Sequence, residues 1–168
     1  SELGDARRKD PKDLRVWKSL AKLLHRMDRS DRVGSLLDLA EKEVGDTFPL
    51  RIERMRLLLD GDKEAAIAGL NAMEQDVDEF SEEQRVALMT QLGGAYLRLE
   101  EYESAKRCWK YAVAGDPENA QIRQVLFELM SDTNDTAGMQ EVMKGINDSP
   151  NWGPQSPLYK YCKAMSLV

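Results

Sequence analysis

Histidine occurs once in this chain, at position 25, and cysteine twice, at positions 108 and 162. With a single imidazole, any Ser–His or Cys–His dyad would have to be built on His25. That residue has mixed polar and apolar neighbours in a helical stretch, and a surface or groove position is the simpler reading. Two thiols so far apart in sequence are no disulfide framework, and Cys108, next to Trp109, is expected to pack inside a helix. Metal-ligand spacing is missing as well: there is no CxxC and no HExxH. The chain is therefore expected to be non-enzymatic, with no catalytic residue, cofactor or metal, in a reducing, cytoplasmic setting.

Aromatic residues are scarce, at 7%. No apolar run approaches the ~20 residues that span a bilayer, so no membrane association is expected. Alternating β-branched stretches are few, and windows rich in Ala, Glu, Lys, Leu and Arg are many, which predicts an all-α fold. The 168 residues are 42% hydrophobic and 32% charged. That balance suits thin layers of paired helices better than one thick core. The net charge is −6, which argues against nucleic acid, whose phosphates need a basic face. The charge is uneven. Residues 1–26 hold eight Lys and Arg against four acids, a net of +4, so the remaining residues carry −10.

What is present is concentrated between Val86 and Pro117. Two amphipathic patterns flank a polar turn at Glu100–Glu101. Leu92, Gly93 and Tyr96 precede the turn; Tyr102, Ala105, Trp109, Ala112 and Pro117 follow it. Two helices packed about 10 Å apart need small side chains where they approach and large ones beside them. Gly93, Ala105 and Ala112 are the small residues, and Tyr96, Tyr102 and Trp109 are expected to fill the gaps. Glycine inside a helix costs roughly 1 kcal/mol against alanine, so close packing is the best account of Gly93. Gly93-Gly94 is no phosphate loop, because it lies inside a helical pattern with no Lys-Ser/Thr after it. The acidic pairs Glu82-Glu83 and Glu100-Glu101 are expected to be solvated helix starts and turns.

These spacings resemble the tetratricopeptide repeat. The resemblance implies a right-handed α-solenoid of antiparallel helix pairs, a single repeat array over residues 1–168. Its units fall at about 14–46, 47–80, 82–119 and 120–153, with a partial unit at 1–12 and a partial C-terminal helix at 156–168. Residues 82–119 match best. Trp17, Leu20, Ala21 and Leu24, with Val33, Leu37, Ala40 and a stop at Gly45, mark the unit at 14–46; Ser30 is a candidate N-cap after the turn Asp28-Arg29-Ser30. In the next unit Pro49 opens a helix, and Leu50, Leu57, Ala66, Leu70 and Met73 fit around the turn Asp60-Gly61-Asp62. Glu53 and Arg54 depart from the pattern. An acidic insertion, Asp76 to Glu79, precedes a capping box in which Ser81 caps and Gln84 reaches back, so a helix about one turn longer than usual should start near Glu82. The unit at 120–153 is degenerate, with Leu126, Phe127 and Met130, then Met139, Met143 and Ile146, around Asn134-Asp135. The last helix should bury Tyr161, Ala164 and Met165. Ala6 and Pro11 repeat the spacing of Ala112 and Pro117, and half-units at both ends lead to the expectation of a piece of a longer array.

The resemblance also implies a concave groove lined by the first helix of each unit. Transferred to this chain, the groove residues are Lys18, Ser19 and Lys22; Arg51, Ile52 and Met55; Thr90, Gln91, Gly94 and Arg98; and Gln124 and Glu128. Gly94 would leave room for a ligand backbone. Arg15, Lys18, Lys22, Arg26 and Arg51 would make one end basic and steer an acidic segment or a terminal carboxylate toward it. A repeat subclass that clamps chaperone tails uses lysines and asparagines at fixed groove places. Lys18 fits one of them, but Lys22, Ile52 and Gln91 do not fit the others, so that activity is not expected. The expected function is a scaffold that binds a protein or peptide segment. Alternatives are a self-assembly module, with homo-oligomers formed through uncapped repeat ends, and an accessory interaction domain of a larger enzyme.

Overall fold

The structure is a computed structural model that describes residues 9–27, 29 and 32–166. The start of the N-terminal half-unit, the Ser30 cap and the His25 side chain lie outside what it describes. The described residues form nine helices and no strand: α1 Leu14–Arg26, α2 Val33–Val44, α3 Phe48–Leu59, α4 Lys63–Met73, α5 Glu82–Arg98, α6 Tyr102–Gly115, α7 Ala120–Asp132, α8 Thr136–Asn147 and α9 Pro157–Met165. No described helix is long and apolar enough to cross a membrane. The chain divides into two compact units, residues 1–79 and 80–168. The boundary falls at the end of the acidic insertion.

Local chemistry sets the helix ends. Gly45 stops α2 at φ 80°, a left-handed angle that favours glycine, and its N–H donates to the Glu41 carbonyl. Pro49 sits in the first turn of α3, where a missing N–H is tolerated. Asp62, Asn119, Asp135 and Ser156 cap α4, α7, α8 and α9 by accepting a backbone N–H. The Ser81 box is complete: the Gln84 N–H donates to Ser81 Oγ at 3.2 Å, and the Ser81 N–H donates to Gln84 Oε1 at 3.1 Å. It starts the 17-residue α5 at Glu82, as the sequence predicts.

In the first unit α1 packs on α2, α2 on α3 and α3 on α4. Trp17, Ala21, Val33, Leu37, Ala40 and Leu50 form one buried cluster. Trp17 Nε1 also donates to the Pro11 carbonyl at 2.7 Å, so the largest side chain of this core has its polar atom satisfied. In the second unit α5 packs on α6, α6 on α7, α7 on α8, and α9 on both α8 and α7.

The α5–α6 pair is the tightest local packing. A Cβ added to Gly93 would lie 2.3 Å from Trp109 Nε1, and one added to Gly115 would lie 2.3 Å from Val86 Cγ2. As α5 advances from 86 to 93, its contacts on α6 retreat from 115 to 109, so the two helices run antiparallel. Leu92, Tyr96, Ala105 and Ala112 are fully buried between them. Tyr102 is not; it is 41% exposed, because its place in the first turn of α6 lies beyond the packed seam. The face of α9 also differs from expectation. Cys162 is fully buried, whereas Tyr161 is 37% exposed and Ala164 is exposed. Leu158, Tyr159, Cys162 and Met165, at successive spacings of one, three and three residues, share one helical face, so the inward stripe is turned by one residue from the predicted one. Burial pushes the Cys162 thiol up to about 11, which keeps it an inert packing group.

Candidate functional site

A hollow of about 550 Å³ lies in the second unit. One wall is the solvent-facing side of α5, from Glu82 to Gln91; the other runs from Gly115 and Asp116 through Asn119 to Ile122. Gly115 lets the end of α6 close against Val86. Trp109 Nε1 donates to the Thr90 carbonyl at 3.2 Å, and Thr90 Oγ1 donates to the Val86 carbonyl at 2.8 Å. The polar atoms of Thr90 are thus used internally, and its methyl group is what remains for a ligand. Gln91 is exposed, and its amide has no partner among the described residues. A Cβ on Gly94 would meet nothing within 4 Å, so this glycine, unlike Gly93, borders open space.

The rim of the hollow is acidic. Glu83 is exposed and Glu82 pairs with Arg85 at 2.5 Å. Asp116 accepts from Asn119 Nδ2 at 3.1 Å, while Asn119 Oδ1 caps α7. The sequence gives no signal for the place of Asp116 and Asn119 opposite α5, which depends on how α6 turns into α7. Farther along α7, Gln124 Nε2 and Tyr161 Oη both donate to Glu128 Oε1, at 2.9 and 2.6 Å. The bond to the carboxylate raises the Tyr161 pKa and ties α9 to α7. Arg98 is exposed near the end of α5.

The first-unit residues are placed differently. Lys22 is exposed, Ile52 is half-buried, and Ser19 Oγ donates to the Arg15 carbonyl. Lys18 Nζ lies 3.9 Å from Glu53. Glu53 also pairs with Arg56, and Arg54 bridges Asp38 and Glu41. Glu53 and Arg54, which depart from the expected pattern, thus make ion pairs with neighbouring helices.

Arg51 and Met55 are only 6% and 4% exposed, and the guanidinium nitrogens of Arg51 are engaged within the protein. Arg51 pairs with Asp46 at 2.6 Å and donates to the carbonyls of Met73, Gln75 and Asp76. These are carbonyls at and just beyond the C-terminus of α4, where backbone acceptors lack helical partners and a cation is favoured. The arginine closes the loop after α4. The sequence gives no signal for this role, since it depends on carbonyls more than twenty residues away. Arg15 is likewise paired, with Asp13 at 2.8 Å. Of the basic residues expected to mark the first unit, Lys22 and Arg26 are exposed, and Lys18 lies at the salt-bridge limit from Glu53.

No protein-family model matches the chain, and no curated protein sequence matches it.

Proposed function

We propose that this protein is a non-enzymatic interaction module of the tetratricopeptide-repeat type, a right-handed solenoid of antiparallel helix pairs, that holds an extended polypeptide segment against α5 and α7. The observation that carries the reading is the hollow of about 550 Å³ between those helices. It falls within the usual size range of ligand sites. It offers the exposed Gln91 amide and the Thr90 methyl. Packing of each helix on its sequence neighbour in both units, with α9 also reaching α7, supports the repeat reading, as does the antiparallel α5–α6 seam.

The rim formed by Glu82, Glu83 and Asp116 favours a segment with Lys, Arg or amide side chains at this hollow. An acidic segment fits Lys18 and Lys22 of α1 instead, and the two are separable by mutation. In a selection from a displayed peptide library, sequences enriched by the wild-type protein should bind Glu83→Lys and Gln91→Ala several-fold more weakly. Both positions are exposed, so the fold is unaffected. Lys18→Glu with Lys22→Glu should leave such basic peptides bound and should weaken only acidic ones. Enriched peptides that bind all of these variants as well as wild type would remove the hollow and α1 together as the binding surface.

A further inference from the structure

A second cavity, of about 330 Å³, is lined by α6, α7 and α8. Val113, Pro117, Leu126 and Val142 supply its apolar lining. Arg123 also lines it and is only 8% exposed. This arginine is unlike the other two buried cations. Arg51 and Lys106 each hold a carboxylate within 3 Å, whereas Arg123 makes no ion pair among the described residues.

Arg123 Nε donates to the Pro117 carbonyl at 2.9 Å, and the Trp152 ring covers the guanidinium at 5.2 Å from the centroid. One edge and one face are therefore occupied, and the Nη1–Nη2 end of the fork has no acceptor among the described residues. Gly145 leaves the space that Nη1 occupies, since a Cβ there would lie 2.7 Å from it. The same glycine lines the cavity. The remaining charges do not compensate the arginine. Lys110 and Glu141, both on the cavity wall, are paired with each other at 2.8 Å. Glu118 acts on Arg123 only through space, and burial lowers the pKa of the guanidinium, which carries its charge at a desolvation cost.

We propose that this cavity binds a carboxylate carrying a short apolar group, with both oxygens on the Nη1–Nη2 end of Arg123 and the apolar part against Val113, Leu126 and Val142. The planar fork matches a carboxylate in two parallel hydrogen bonds. A monoanion suits it better than a phosphate dianion, because Lys110 is already neutralised by Glu141. The volume lies near the lower end for ligand sites, which limits the apolar group to a few carbons. Such a carboxylate has two sources, a free organic acid or the last residue of a polypeptide.

The test uses the full chain and two probes, 4-methylpentanoate and an acetylated tetrapeptide ending in leucine, with the corresponding amides as controls. Binding is read from the Arg123 Nε–H and Trp152 indole resonances. Saturable shifts with the acids and at least about tenfold weaker binding of the amides are expected, the ratio one charge-assisted hydrogen bond carries. Saturation by 4-methylpentanoate alone assigns a small acid, and saturation by the peptide alone assigns a chain terminus. Arg123→Gln should lose the preference for acid over amide. Should that variant fail to fold, Ala114→Leu, at an exposed position on the cavity wall, leaves the arginine intact, fills the mouth and should abolish binding. Absence of saturation by either acid, equal binding of acids and amides, or undiminished binding by Ala114→Leu would overturn the proposal.

Discussion

Two adjacent glycines in α5 have opposite physical roles. A methyl group on Gly93 would be driven into the Trp109 indole, a rigid and buried ring, while one on Gly94 would meet open space. Alanine raises helix propensity by roughly 1 kcal/mol over glycine at either position. At Gly94 nothing opposes that gain, and Gly94→Ala should raise stability by about 0.5–1 kcal/mol. At Gly93 overpacking of about 1–3 kcal/mol sets in, with displacement of the bond from Trp109 to Thr90 in addition, so Gly93→Ala should be net destabilising. Urea midpoints of the two variants, at unchanged slope, should move in opposite directions. The sequence marks both glycines as unusual inside a helix, and the tyrosine–tryptophan pattern picks out Gly93. Arg51 shows the limit of such reading. An arginine on a first helix looks like a groove residue until the loop it closes, at Met73 to Asp76, is in place.

At the scale of the element, helix ends are also where helices are joined. Asp135 accepts the Gly138 N–H at 2.9 Å to cap α8, and its other oxygen lies 3.3 Å from Lys106 Nζ of α6. Burial opposes the Lys106 charge, but hydrogen bonds to Glu103 and Asp135 outweigh it and hold its pKa above the ordinary value. The Asp135 pKa is lowered, first by the capping N–H and then by Lys106. A carboxylate depressed in the folded state contributes stability that is present above its unfolded pKa, near 3.8, and is lost as the pH falls through the folded value. Asn keeps the cap and removes the charge. Asp135→Asn should therefore destabilise by about 1 kcal/mol at neutral pH, since a charged hydrogen bond partly open to solvent is being removed. The gap from wild type should narrow as the pH drops below about 4. Urea unfolding of both proteins at a series of pH values measures it, and a gap independent of pH would mean that the Asp135 charge carries none of the effect.

At the scale of the whole molecule, short-range helix packing dominates each compact unit. If the chain is the repeat array proposed above, its stability is approximately a sum of local terms and nearest-neighbour interfaces. Residues 80–168 contain α5 to α9 and their mutual contacts. Expressed alone, this segment should be helical by circular dichroism and unfold cooperatively in urea, with a slope reduced in proportion to the surface it buries. A segment that melts without a cooperative transition would mean that its stability depends on residues 1–79.

Helical class and most helix ends were written into the chain. Ser81 with Gln84, Gly45, Pro49 and Asn134-Asp135 act within a few residues of themselves, and capping and turn chemistry at that range needs no tertiary partner. The seam of Gly93 with Trp109 was legible for a related reason: small and large residues recur at helical spacing on two helices joined by a three-residue turn. Tertiary structure alone decided which side chains reach solvent. It withdrew Arg51 and Met55 from the surface, left Tyr102 outside the α5–α6 seam and turned α9 so that Cys162 faces inward. It also brought Arg123 to a cavity where no described carboxylate pairs with it, and Lys106 to the cap of α8. Each of these depends on the rotation of a helix about its own axis against a neighbour, and one residue's rotation, about 100°, exchanges an exposed side chain for a buried one without changing the pattern from which the helix was read.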